Sequence, residues 1–506
     1  MVERRSPKPN AVGSSPSTPA SHPTGLAARP LAREGLWLGI VLALLSCLPF
    51  LVAHYPQLTD YPSHLARYHV MLDGGRSAFL ARYYAFEWMF QGNLGADLLI
   101  WPLAKIFGLE NAGWLVGCII PPLTCLGLVA VEWQLRRRVG IGAWLAFATV
   151  WSPAMGMGFY NFCLSLALAL FAFAGWIRLE GWPRRWALFL PIGLIVWLCH
   201  ASGWGILGVL VFGYEWSRRK SLAAFVAPWP LTLPLIPALL LAGEVQGGLS
   251  YGKNPWVYKF AVFVQTLREQ QLNVDVLTLG FLLLVLLVAL VTRRIDGRLG
   301  WAALLLALLS LAMPRHFGGG DYADYRLMAV TLTIGCLAIA WQPPRWFYYL
   351  VPALFLFRLS LTTEAWHRQS LELEGDLVAL RYLPEGAKVA GAVIVEPQGW
   401  RLNPFEHAPA YATVRRDALV NAHFALPGVH MLSLKGGGKG FVDPSQRIIL
   451  WRGHKVDLAN FAPAKQADYL WYFGRHKPDT MPPGAEVIYA TRTSFLARLA
   501  KPHRGR

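Results

Sequence analysis

Apolar runs of about 14 to 22 residues, punctuated by short polar or basic stretches, recur at 36–53, 112–133, 140–157, 160–178, 186–199, 203–216, 221–242, 275–292, 299–314, 327–342 and 345–361. A helix needs about 20 apolar residues to cross a bilayer. The pattern therefore predicts a polytopic α-helical membrane protein with about eleven transmembrane helices. One further stretch, 93–108, is apolar but carries Asp97, Pro102 and Lys105. It is expected to lie in the membrane interface, because the basic loops at Arg136-Arg137-Arg138, Arg178 with Arg184-Arg185, Arg218-Arg219-Lys220, Arg293-Arg294 with Arg298, and Arg345 then all fall on the cytoplasmic side.

From about residue 365 the apolar runs stop and the pattern changes. Helical spacing near Ser370–Tyr382, a strand-like Lys388–Val395 and strand character over Glu486–Leu499 predict a small α/β domain. Three units follow: a disordered cytoplasmic tail over 1–33, rich in Ser, Pro and Ala; a transmembrane unit over 34–364 whose first outer loop is 54–111; and the α/β domain over 365–506. Arg29 and Arg33 before the first span hold the N-terminus inside, and an odd number of crossings places the last domain outside.

Composition supports this. Hydrophobic residues make up 55% of the 506 and charged residues 15%, too apolar for a soluble chain of this size. The net charge of +18 is spread through loops and forms no single stripe, which argues for topology signals and lipid headgroups as partners and against nucleic acid. The six cysteines lie in or beside apolar runs, so no disulfide framework is expected. Leu44-Leu45-Ser46-Cys47 faintly resembles a lipoprotein cleavage box, but the apolar run continues through it. Gly436-Gly437-Gly438 lacks the strand and helix of a phosphate loop and reads as a turn. Cys199 and His200 are adjacent, a poor geometry for a cysteine–histidine catalytic pair on a helix.

The candidate chemistry lies where the chain leaves the first span. Thr59-Asp60-Tyr61-Pro62-Ser63-His64-Leu65-Ala66-Arg67 puts an acid, an imidazole and a guanidinium at i, i+4 and i+7, on one face of a helix that has Pro62 in its first turn. Asp60 could simply cap that helix, or the three could form a structural ion cluster. His200 interrupts an apolar run, and Arg315–Arg326 gathers Asp321, Asp324 and Arg326 around a glycine-rich loop. A guanidinium beside such a loop suits an anionic headgroup, with Arg326 as the phosphate ligand. Asp60 is the expected catalytic residue, and His64, Arg67, His200, Asp321, Asp324 and Arg326 the expected substrate contacts.

An acid just beyond the first span, many later spans and an outer C-terminal domain resemble the GT-C superfamily of integral-membrane glycosyltransferases. The motif around Asp60 and the segment Asn93-Leu94-Gly95-Ala96-Asp97 resemble its uncharacterised bacterial members. The resemblance implies transfer of a sugar from a polyprenyl-phosphate carrier to a glycan, lipid or protein acceptor outside the inner membrane, with Asp60 matching the motif acid. Many members carry a second acid where this chain has Tyr61, so no metal ligand is assigned and a divalent cation is left open. On chemical grounds Asp60 would act as general base in an inverting displacement. A transporter or flippase for lipid-linked saccharides, or an assembly factor for their synthesis, is the alternative.

Overall fold

A computed structural model describes residues 28–240, 248–317, 320–425, 429–435 and 440–500. Most of the expected N-terminal tail and the Gly436-Gly437-Gly438 run lie outside the described residues. Five helices among them are long and apolar enough to cross a bilayer: Arg33–Val52, Leu109–Arg136, Tyr160–Arg178, Leu272–Val291 and Arg345–Tyr382. Arg185–Cys199 and Gly297–Ala312 are apolar but shorter.

Several expected spans are broken, and prolines and glycines account for the breaks. The 140–157 run is two short helices, Ile141–Phe147 and Pro153–Met157, because Pro153 cannot donate to a preceding turn and Gly158 leaves at φ +89°. The 221–242 run contains Pro228, Pro230, Pro234 and Pro237, and its described part folds as helical pieces at Ala223–Val226, Trp229–Leu231 and Leu235–Leu240. Conversely, the expected boundary at 364 falls inside one helix of 33 residues, Arg345–Leu377, about 50 Å long at 1.5 Å per residue. The helical spacing read near Ser370 is its continuation, finished by the tighter turn Val378–Tyr382. The 93–108 stretch forms a helix of 13 residues, Gly95–Phe107, about 20 Å long and shorter than a hydrocarbon core of about 30 Å.

In the C-terminal domain the central strand is Lys388–Val395, as its β-branched and small residues predict, and its middle is buried. It pairs in parallel with Leu419–Val420, Arg447–Ile449 and Tyr469–Phe473. Tyr469–Phe473 pairs antiparallel with Ser494–Arg498, which pairs antiparallel with Glu486–Ala490.

This domain is not a separate lobe. Tyr84–Phe86 of the first loop forms a two-stranded sheet with Leu432–Leu434. Asp417 receives the Ser77 hydroxyl at 2.6 Å and His69 Nε2 at 2.8 Å, and Arg415 forks onto Glu110 at 2.8 and 2.9 Å. Arg358, buried in the long helix, holds Glu269 and Asp275 at 2.7 Å each, and Asp275 in turn accepts the Trp400 indole N–H at 2.7 Å. Helix bundle, first loop and sheet domain thus share one continuous apolar core.

The opposite end of the bundle gathers the basic loops. Arg136 reaches Asp296 at 3.5 Å and the Leu337 carbonyl at 2.9 Å, Arg298 reaches the Leu135 carbonyl at 3.2 Å, and Arg185 and Arg219 both meet Glu215 at 3.0 Å.

Candidate active site

Between the bundle and the sheet domain lies a cavity of about 1740 Å³. Pockets for drug-sized ligands measure about 300–1,000 Å³, so this one is large enough for more than one such molecule. Asp60, His64, Arg67, His200, Asp321 and Arg326 all line it. The helical spacing that put Asp60, His64 and Arg67 on one face is realised in the helix Tyr61–Asp73, with Pro62 in its first turn.

The backbone at Asp60 is held from below. Thr59 N–H donates to the Gly156 carbonyl at 3.2 Å and Asp60 N–H to the Met157 carbonyl at 2.9 Å. Gly158 is left-handed and sits against Leu58 and the backbone amides of Asp60 and Tyr61, so a residue with a Cβ there would strain the backbone. The Asp60 carboxylate makes no capping bond to the helix it precedes. It faces His407 of the sheet domain instead, at 3.6 Å. Burial raises its pKa to about 7, with Glu406 and Asp443 adding to the rise and His407 and Arg447 opposing it. A carboxylate poised there can accept a proton at neutral pH.

The three cations expected at the site differ. Arg67 is spent on Asp97, at 2.7 Å, and Asp97 is itself placed by Asn161, which also accepts the Ala96 N–H at 2.5 Å and donates to the Asn93 carbonyl at 2.8 Å. His64 packs on Tyr68 and Phe424, its Nδ1 is buried without a hydrogen bond, and burial with the nearby Arg67 lowers its pKa well below the usual imidazole value. It stands in the wall as a neutral ring.

Arg326 is the exception. It lies 4.2 Å from the centre of the Phe159 ring, its Nε is sealed from solvent with no partner, and among the described residues no carboxylate forms an ion pair with it. Its neighbour is His200 Nε2, at 3.4 Å from Nη1. His200 Nδ1 accepts the Ser202 backbone N–H at 3.0 Å. In a neutral imidazole the proton must then be on Nε2, so two donors face each other at the cavity wall, an arrangement suited to an acceptor such as an anion's oxygen.

Asp324 stands apart from the others. It does not line the cavity; it is fully buried and accepts from Lys259 Nζ at 2.7 Å, a structural pair whose lysine also holds the Ser310 carbonyl at 2.9 Å. Asp321, which does line the cavity, is forked by Arg315 at 3.0 and 3.1 Å. Sequence reasoning missed the sheet domain's contribution: His407, Asp443, Glu406 and Arg447 stand beside Asp60, and only the adjacency of Glu406 and His407 offered a signal. No three His, Cys, Asp or Glu side chains among the described residues converge as a metal site.

Two crystal structures are similar to this chain. One is ArnT from Cupriavidus metallidurans bound to undecaprenyl phosphate, at 12% identity, covering 94% of this chain and 98% of that one with a TM-score of 0.48. The other is the same protein in the apo state, at 11% identity, covering 94% and 99% with a TM-score of 0.49. No family model and no curated protein matches the sequence.

Proposed function

We propose that the chain is a GT-C-like membrane glycosyltransferase that takes a sugar from a polyprenyl-phosphate donor and places it on an acceptor outside the inner membrane. The observation that carries this reading is the pairing, in one cavity, of a carboxylate poised to accept a proton, Asp60, with an arginine that has no carboxylate partner among the described residues, Arg326, beside the Nε2–H of His200.

The chemistry is a single displacement. The acceptor hydroxyl gives its proton to Asp60 as its oxygen bonds to the anomeric carbon. The bond from that carbon to the phosphate oxygen breaks, and its electron pair leaves with the phosphate. The negative charge growing there is met by Arg326 and His200. Attack opposite the leaving group inverts the anomeric centre.

The orientation follows from charge. The basic loops meet at one end of the bundle, and the cavity opens at the other. With the basic end inside, the cavity and the sheet domain at the other end lie outside. The helix Gly95–Phe107 then rests in the outer interface, its Leu98, Trp101, Ile106 and Phe107 exposed to lipid.

The test is transfer from a radiolabelled polyprenyl-phosphate sugar in membranes holding wild type, Asp60→Asn or Arg326→Ala. Both variants are expected to lose transfer at normal expression. Full transfer by Asp60→Asn would remove the mechanism. Supplying the donor only on the outer face of proteoliposomes separates transfer from flipping, since a flippase forms no product there.

A further inference from the structure

The wall behind Asp60 belongs to the C-terminal domain, and one side chain in it is built to hold charge. His407 is fully buried. Its Nδ1 lies 3.0 Å from the Thr59 carbonyl and 3.6 Å from Asp60 Oδ1, and its Nε2 lies 3.0 Å from Asp443 Oδ1. Both ring nitrogens therefore face acceptors. A neutral imidazole donates from one nitrogen only, so satisfying both sides requires a proton on each.

The surroundings favour that charged ring. Asp443 also accepts from Gln446 at 2.7 Å and Arg447 at 3.2 Å, and its pKa falls to about 2: burial would raise it, but the His407 hydrogen bond and charge outweigh that. Burial works against the His407 charge, yet the hydrogen bond to Asp443 and the fields of Asp60 and Glu406 raise its pKa above the ordinary value. Other titratable groups in reach include Arg447, His64, His423, His430 and Arg326; burial pushes His423 down to about 3 and His430 to about 4, so both are neutral. The ring's placement is fixed by the fold. Pro409, two residues on, packs against the central strand at Gly391, where an added Cβ would lie 2.6 Å from its ring, and Phe424 covers the imidazole with ring centres 4.9 Å apart.

We propose that His407 is a positioning residue for Asp60: an imidazolium clamped between the Asp60 and Asp443 carboxylates, by which the C-terminal domain orients the base at the membrane surface. The clamp rests on the reading of Asp60 as the general base. The His407 Nδ1–H bonds the Thr59 carbonyl, and its charge, 3.6 Å from Asp60 Oδ1, draws that oxygen toward the sheet domain and leaves the other for the acceptor in the cavity. It also keeps Asp60 more ionised than burial alone allows, so the sheet domain is part of the catalytic machinery.

The clamp can be tested without a substrate. Purified full-length protein in nanodiscs is titrated by infrared difference spectroscopy, and the protonated-carboxyl band of Asp60 is identified by its absence in Asp60→Asn. The parent midpoint is expected near 7. His407→Gln removes the charge and should raise the midpoint by about one pH unit or more. His407→Asn removes the same charge while leaving Asp443 in place, and should raise it in the same direction. An unchanged midpoint in folded His407→Gln would overturn the proposal; if that variant does not fold, an unchanged midpoint in His407→Asn overturns it.

The transfer assay keeps the two readings apart. Asp60→Asn that still transfers sugar removes the general base, while the band shift decides the clamp separately. With the base intact, His407→Gln should lose transfer at pH 7 and recover it at higher pH, whereas a purely structural loss would not recover.

Discussion

Arg67 and Asp97 meet at 2.7 Å in a nearly solvent-free part of the cavity wall. The guanidinium that the helix Tyr61–Asp73 brings to the same face as Asp60 is thereby neutralised, and its task is to fasten that helix to the start of Gly95–Phe107. On the proposed function the anion-binding role falls to Arg326, which has no carboxylate partner among the described residues.

Removing one member of the Arg67–Asp97 pair strands a buried charge. Asp97→Leu is expected to lower stability by about 3–5 kcal/mol, and the double variant Arg67→Met with Asp97→Leu to recover most of it. Thermal unfolding in detergent compares the three proteins. A single variant that melts like wild type would show that the pair does not hold the helix.

Arg326 and Arg67 should separate in binding. Hydrogen bonds to charged groups contribute about 1.5–3 kcal/mol, so on the proposed function Arg326→Ala should weaken binding of a polyprenyl phosphate by roughly 10- to 150-fold. Arg67→Met should act on stability first. Titration of the purified proteins with the lipid, monitored by tryptophan fluorescence, distinguishes them, and equal affinity in wild type and Arg326→Ala would place the phosphate elsewhere.

On the proposed mechanism, Asp60 should make stability and activity depend on pH in opposite directions. Its pKa is about 7 in the folded chain, against an ordinary value of 3.8. Across that window the folded state binds more protons than the unfolded one, so this group's contribution is fully present below about 3.8 and is lost as pH rises toward 7. Asp60→Asn should therefore melt close to wild type near pH 4 and above it at pH 8, while wild-type transfer rises with pH through about 7. Melting curves at both pH values check the first, a rate profile the second.

Asp324 should behave as a structural residue. Lys259→Met leaves its carboxylate buried and unpaired, a cost of about 3–5 kcal/mol, with no change in lipid affinity once the protein is folded. A variant with native melting and weakened binding would return Asp324 to the site.

The membrane character of the bundle was legible because a bilayer demands long apolar runs and basic loops, and both are local properties of a sequence. The face shared by Asp60, His64 and Arg67 was legible for the same reason: helical period and Pro62 decide it within three turns. Breaks at Pro153 and across Pro228–Pro237 were written in the residues too, but an apolar run masks them when hydropathy alone is counted. Proximity between distant segments was not legible. Asp97 neutralises Arg67 from 30 positions away, Lys259 claims Asp324, and His407 comes to Asp60 from the far side of the chain. Sequence by itself determined which stretches prefer lipid, which turn into helix or strand, and where ionisable groups occur. Only the tertiary structure decided which charges cancel and which stay available, because electrostatic partnership depends on distance and burial, and those arise when the helices and the sheet domain pack.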